Sequence, residues 1–214
     1  MMMTKHRLPL AIEESVGKTE VLRSDLSSDF EMQLRSEVPK HGQRITCTAG
    51  CAWCCYHPVV ISILEGILIY RWMLEQGKWT SGIKERMKFS ADQQFGTEYH
   101  VWMKAMIPCP LLNDQNRCSV YQTRPLICRV YYAVSDPHYC HPHRISNEYT
   151  KLLPRDNITD AFHVKQAEIL RRHKLQLITM PIGAALLMAE KICNEDIDLE
   201  SVDRILIKEY GDKT

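Results

Sequence analysis

Apolar residues are thinly spread over the first 58 positions, then run almost unbroken from Val59 to Leu74. A run that is apolar on nearly every face predicts a buried helix over Val59–Gln76, with Pro58 in its first turn and Gly77 as its stop. Upstream, residues 1–18 read as a frayed tail. A polar, charged helix is expected from Lys18 to Glu37, starting near Thr19 and stopping before Pro39. Residues 40–57 form a loop in which Gly42 and Gly50 permit tight backbone paths. Downstream, apolar spacings of three and four predict a helix over Ser81–Gln94, with Ile83, Met87 and Phe89 or Ala91 inward. Another is expected over Thr97–Met106, ended by Pro108 and Pro110.

The stretch 109–157 shows few apolar residues in register and reads as irregular. One short strand pair is expected there, around Cys118–Tyr121 and Val130–Val134, and the order of the stretch is expected to depend on ligation. Helices return over Asp160–His173, Pro181–Ile192 and Leu199–Tyr210. The fold class this implies is mainly α: a single α-rich domain with irregular cysteine-bearing loops and little β. Its parts are an N-terminal tail and helix (1–40), a cysteine-cluster metal-binding region (41–157), and C-terminal helices packed on the same domain (158–214).

Composition narrows the function. With 214 residues, 45% of them hydrophobic, the chain can bury one good core. A formal net charge of +1 gives no global signature of nucleic-acid binding. Glu65 and Arg71 interrupt the most apolar segment, which argues against a bilayer span. Met1–Leu10 has no sustained apolar run of the secretory kind, so a cytoplasmic location is expected. In that reducing compartment disulfides are rare, and nine cysteines, an odd number, suit a disulfide framework poorly.

Metal coordination therefore explains the cysteines better. One group is Cys47, Cys51, Cys54 and Cys55; the other is Cys109, Cys118, Cys128 and Cys140. Thiolates are soft donors suited to zinc, iron and iron–sulfur clusters. The eight thiols are enough for two closed four-ligand sites, or for one 4Fe–4S cluster plus one zinc. Adjacent side chains such as Cys54 and Cys55 tend to point apart and rarely grip one ion together. They can serve two neighbouring sites, or one can be a ligand and the other packing. The two groups are expected to converge in space, since the entropy of closing the intervening loop grows only logarithmically with its length.

Cys47-x3-Cys51-x2-Cys54, with Trp53 before its last cysteine, resembles the cluster-binding loop of radical SAM enzymes. That family's alternating strands and helices are not visible here. The second group reads C-P-L-L-N-D-Q-N-R-C-S-V-Y-Q-T-R-P-L-I-C-R from Cys109. Together with the Cys54-Cys55 ending of the first group and Glu65 on the helix that follows, it resembles the YkgJ family of cysteine-cluster proteins. Tyr121, Arg124, Pro125, Cys128 and Arg129 all fall in register. The resemblance implies a zinc- or iron-chelating domain built on the eight cysteines. The radical-SAM-like loop makes an iron–sulfur enzyme of redox or methyl-transfer type the alternative; flagellin lysine methylase, a relative of the YkgJ family, shares a similar cysteine pattern, but nothing beyond the cysteine block here matches it. A structural zinc module for protein–protein interaction is a second alternative. The implied partner is a metal ion, with no nucleic acid and no membrane.

Around the ligands, Pro110 and Pro125 stiffen turns, and Arg124 and Arg129 can donate to sulfur or to nearby carbonyls. Buried Glu65 must be paired, with the cysteine loop or an arginine such as Arg124 as candidate donors. His138, His141 and His143 flank Cys140 and could complete a site with mixed donors, although each of them singly, like His57, is expected to face solvent; Cys193 is expected to be core. Trp53, Tyr56, Trp72, Tyr131 and Tyr132 are expected to shield the metal from water.

Overall fold

The computed structural model describes residues 8–40, 42–144, 156–195 and 197–211. The mainly α expectation holds: helices dominate, and the described sheet has two strands. Among the described residues, no helix is long and apolar enough to cross a membrane.

The first helix, α1 (Leu10–Lys40), overturns the expected tail at positions 10–18 and carries Pro39 in its last turn. Its buried stripe is Ile12, Ser15, Val16, Thr19, Arg23, Ser27, Phe30, Leu34 and Val38. The three- and four-residue spacing is helical, but four of these positions are polar or charged. A search for apolar periodicity does not see such a face.

The expected Val59–Gln76 helix is two elements. Strand β1 (Val60–Ser62) comes first, and helix α2 (Ile63–Glu75) follows once the Ser62 hydroxyl accepts the Glu65 N–H at 3.2 Å. Continuous apolar runs do not separate strand from helix. Pro58 thus precedes a strand, while Gly77, at φ 63°, does close the helix. Helices α3 (Ser81–Gln94) and α4 (Tyr99–Ala105) follow. In α3, Met87 and Ala91 are buried while Phe89 is exposed.

The middle of the chain departs most from expectation. Tyr121–Thr123 is a 3-10 turn and Leu126–Arg129 a short helix, α5, so the strand pair expected there does not form. Among the described residues of this stretch, an isolated bridge joins Leu112 and Cys118. Leu111, Leu112, Val120, Leu126, Val130 and Ala133 are all buried. The segment therefore feeds the core, at irregular spacings that no single period reveals.

The C-terminal part comprises α6 (Asp156–Arg171), β2 (Thr179–Pro181), α7 (Ile182–Glu195) and α8 (Leu199–Tyr210). Strand β2 pairs antiparallel with β1, placing Ile61 opposite Met180. The main core lies between α2 and α7, with α1 and α3 flanking it. Gly66 and Gly183 allow the closest approaches: a Cβ on Gly66 would lie 2.8 Å from Ala185 O, and one on Gly183 would run into Met87 O. A smaller cluster of Phe30, Leu34, Val38, Leu126, Val130 and Phe162 joins the end of α1 to α5.

Candidate metal centre

The first cysteine loop is short, and specific backbone bonds shape it. Thr46 N donates to Ala133 O at 3.0 Å, and the Thr46 hydroxyl reaches the carbonyls of Ala133 and Ser135. These bonds strap Cys47 to the segment that leads into Cys140. Gly50, at φ 90°, turns the chain so that Cys51 N bonds to Thr48 O at 3.0 Å. A 3-10 turn over Trp53–Tyr56 then carries Cys54 and Cys55.

The two groups meet. Cys109 N donates to Cys55 O at 2.6 Å, joining the second group directly to the end of the first. The buried Trp102 supports this junction by donating from Nε1 to Tyr56 O at 2.9 Å. All nine cysteines are free thiols, and Cys140 is buried.

Backbone N–H groups are aimed at several of the sulfurs. Ala133 N lies 3.3 Å from Cys47 Sγ. Trp53 N–H bonds to Cys51, Leu111 N–H to Cys109 and Val120 N–H to Cys118, in each case from two residues further along the chain. Donation of this kind favours the charged thiolate.

Burial acts the other way. It pushes Cys109 up to about 12 and Cys140 up to about 11, and it raises Cys128 well above the ordinary thiol range. Cys55 is raised chiefly by its bond to Cys54, then by burial, so on this tight 3-10 turn the two side chains meet rather than point apart as expected. The thiols also raise one another, and the pattern of neighbours is informative. Cys140 feels Cys47, Cys51 and Cys54. Cys55 feels Cys54, Cys109 and Cys128, and Cys128 feels Cys109, Cys54 and Cys118. Cys54 is common to both neighbourhoods. Arg124 offsets the accumulating charge at Cys47, Cys118 and Cys128, Arg86 at Cys109, and Lys78 at Cys118. Among the described residues, no three His, Cys, Asp or Glu side chains stand at ion-coordination spacing. The residues fit zinc or iron by their chemistry: soft sulfurs on loops that meet, with N–H donors directed at several of them.

Glu65 is paired, with a backbone N–H and, as the facing arginine, Arg23 rather than Arg124. It accepts the Leu126 N–H at 2.8 Å, at the start of the short helix bearing Cys128. Burial raises its pKa, opposed by that bond and by Arg23. Arg129 donates to the carbonyls of Arg124 (3.0 Å) and Gln122 rather than to sulfur. The Arg124 guanidinium stacks on Tyr121 at 4.1 Å from the ring centroid, and its buried Nε has no protein hydrogen-bond acceptor.

The histidine rings also contact other groups. His57 Nδ1 lies 3.3 Å from the Tyr99 hydroxyl. His141 packs on Trp53 at 4.4 Å and accepts the His143 N–H at 3.1 Å, and the His143 ring reaches Lys104 O. His138, which is exposed, packs its ring edge-on to Tyr139. Of the aromatic residues, Trp53, Tyr56 and Tyr131 line the cysteine loop, whereas Tyr132 packs on Phe30 and Trp72 on the core under Lys78. Cys193 lies apart from both groups, half-buried against the core and hydrogen-bonded to Arg71.

Fold and site together define a helical cysteine-cluster domain. The chain belongs to the CxxCxxCC family, described as a putative zinc- or iron-chelating domain, which it matches over residues 46–152. That span includes both cysteine groups and excludes Arg23 and Cys193. No curated protein and no solved structure matches the chain.

Proposed function

We propose that this protein holds zinc or iron through eight thiolates divided into two sets of four. One set is Cys47, Cys51, Cys54 and Cys140; the other is Cys55, Cys109, Cys118 and Cys128. The observation that carries this reading is the row of backbone N–H groups aimed at the sulfurs of Cys47, Cys51, Cys109 and Cys118. Such bonds favour the thiolate form that a metal requires. The division follows from the backbone ties. Cys47 is strapped toward Cys140, and Cys55 is bonded to Cys109.

The adjacent pair Cys54 and Cys55, whose side chains bond to one another, is the junction at which the two sets meet. Every set draws on both sequence groups, so metal binding ties the first loop to the second. Four thiolates close a zinc site and leave it structural, while four cysteines equally hold a cubane cluster, which would add electron transfer. Cys54 faces members of both sets, which supports a second reading: one iron–sulfur centre spanning the two, with the redox or methyl-transfer chemistry open to such a centre.

Anaerobic purification with metal analysis and absorption spectroscopy tests the proposal. A colourless protein with about two zinc ions per chain is the outcome for closed sites. A brown protein with a broad visible band selects the iron–sulfur reading, and a protein without zinc or iron contradicts both.

A further inference from the structure

Between Gln122 and Leu126 the backbone turns just ahead of Cys128, and charged side chains from three elements take up its polar groups. From α5, Arg129 donates to Arg124 O at 3.0 Å and to Gln122 O. From α1, Arg23 donates to Thr123 O at 3.0 Å and to Thr123 Oγ1 at 3.2 Å. From α2, Glu65 accepts the Leu126 N–H at 2.8 Å. Arg23 is 5% exposed and Glu65 2%, and each is the strongest opposite charge acting on the other.

Cys128 hangs from this turn. Pro125 supplies no N–H but offers its carbonyl to Cys128 N at 3.0 Å and to Arg129 N at 3.1 Å. Moving the turn therefore moves the Cys128 sulfur, and with it Arg124, whose charge acts on thiols of both sets. A turn that needed only to be covered could be held by apolar packing, which often replaces a buried ion pair without loss of stability. Charged groups anchored on three different helices instead fix its position in three directions.

We propose that Arg23, Glu65 and Arg129 form a brace that sets the 122–126 turn before metal arrives, making Arg23 and Glu65 positioning residues for Cys128. The inference rests on the reading of Cys128 as a ligand. It brings α1, which lies outside the family span, into the metal-binding apparatus.

The test is competition titration of metal-stripped full-length protein with zinc against a chromogenic chelator, alongside cobalt(II) absorption. Arg23→Met and Glu65→Leu should each weaken binding by about 10–100-fold, the usual effect of losing a group that orients a ligand. Glu65→Gln keeps an oxygen for Leu126 N–H and should retain near wild-type affinity. The double variant Arg23→Met/Glu65→Leu should recover thermal stability but not affinity, and its thiolate-to-cobalt band should stay weakened. Thr123→Val, which removes only the Oγ1 contact, is the milder second variant and should weaken binding in the same direction. Wild-type affinity and spectrum in the double variant, or in Thr123→Val, would overturn the brace. Failure of the wild-type protein to take up zinc or cobalt would instead overturn the reading of Cys128 as a ligand, and the brace with it.

Discussion

Cys51 and Cys193 are both half-buried thiols, yet their surroundings assign them different work. Cys51 receives the Trp53 N–H and sits among other thiols, whereas Cys193 has Arg71 beside it and the core beneath. Serine is a poor ligand for zinc or iron. Cys51→Ser and Cys128→Ser should therefore each lower the metal content of the purified protein, by about one ion per chain if the sets are separate zinc sites. Cys193→Ser should keep the full complement at a stability cost of about 1–3 kcal/mol, toward the lower end because Arg71 can bond the new hydroxyl. Elemental analysis of the three variants checks this, and an empty Cys193→Ser protein beside a full Cys51→Ser protein would reverse the assignment. The candidate ligands were legible in the sequence because cysteine spacing survives in one dimension. Arg23 and Trp102 were not, since nothing local marks a polar position on α1 or an indole on α4 as a partner of a loop far away in sequence.

Among the elements, the ones read well are those whose stripe is apolar and whose ends are capped. The predicted bounds of α3 and α8 coincide with the observed helices, and Thr80 and Asp198 cap them with side-chain bonds to Ile83 N and Ser201 N. The ones misread failed for stated reasons. The first turns of α1 bury serine and threonine, and β1 hides inside a run whose apolar character continues into α2. The pairing of β1 with β2 depends on a strand more than a hundred residues away, which no local pattern announces. The approach of α7 to α3 gives the prediction at this scale. Gly183→Ala places a methyl against Met87 O and 3.1 Å from Ala91 N, both backbone atoms that cannot rotate aside. The change should cost about 1–3 kcal/mol, as overpacking does. That corresponds to a fall of several degrees in Tm at this chain length, roughly 2–4 °C per kcal/mol. Metal content should be unchanged, since neither helix carries a candidate ligand. Thermal melts paired with elemental analysis separate the two effects, and an unaltered Tm would show that the helices can slide apart without cost.

At the scale of the whole molecule, the two cysteine groups are supported differently: Leu111 and Val120 belong to the main core and Cys109, Cys118 and Cys128 pack against it, whereas the first cysteine loop does not. The core between α2 and α7 is largely apolar, while the first cysteine loop and the segment after Val130 rest on isolated backbone bonds and the 122–126 turn on buried charges. Chelation should therefore loosen the molecule unevenly. Hydrogen exchange should speed up across 46–57 and 131–144, where order rests on ligation and a few loop bonds. Protection should persist in α2, α7 and the braced turn ahead of Cys128. Uniform loss across the chain would mean that the metal supports the core itself.

The central claim is that sulfur alone surrounds the metal, and X-ray absorption at the metal edge of the anaerobically purified protein tests it most directly. The account predicts a first shell of about four sulfurs near 2.3 Å per metal ion, with no nitrogen or oxygen contribution. That shell should collapse in a variant lacking Cys54 and Cys55 together. A first shell of light atoms near 2.0–2.1 Å, as histidine nitrogen gives, would contradict the eight-thiolate assignment.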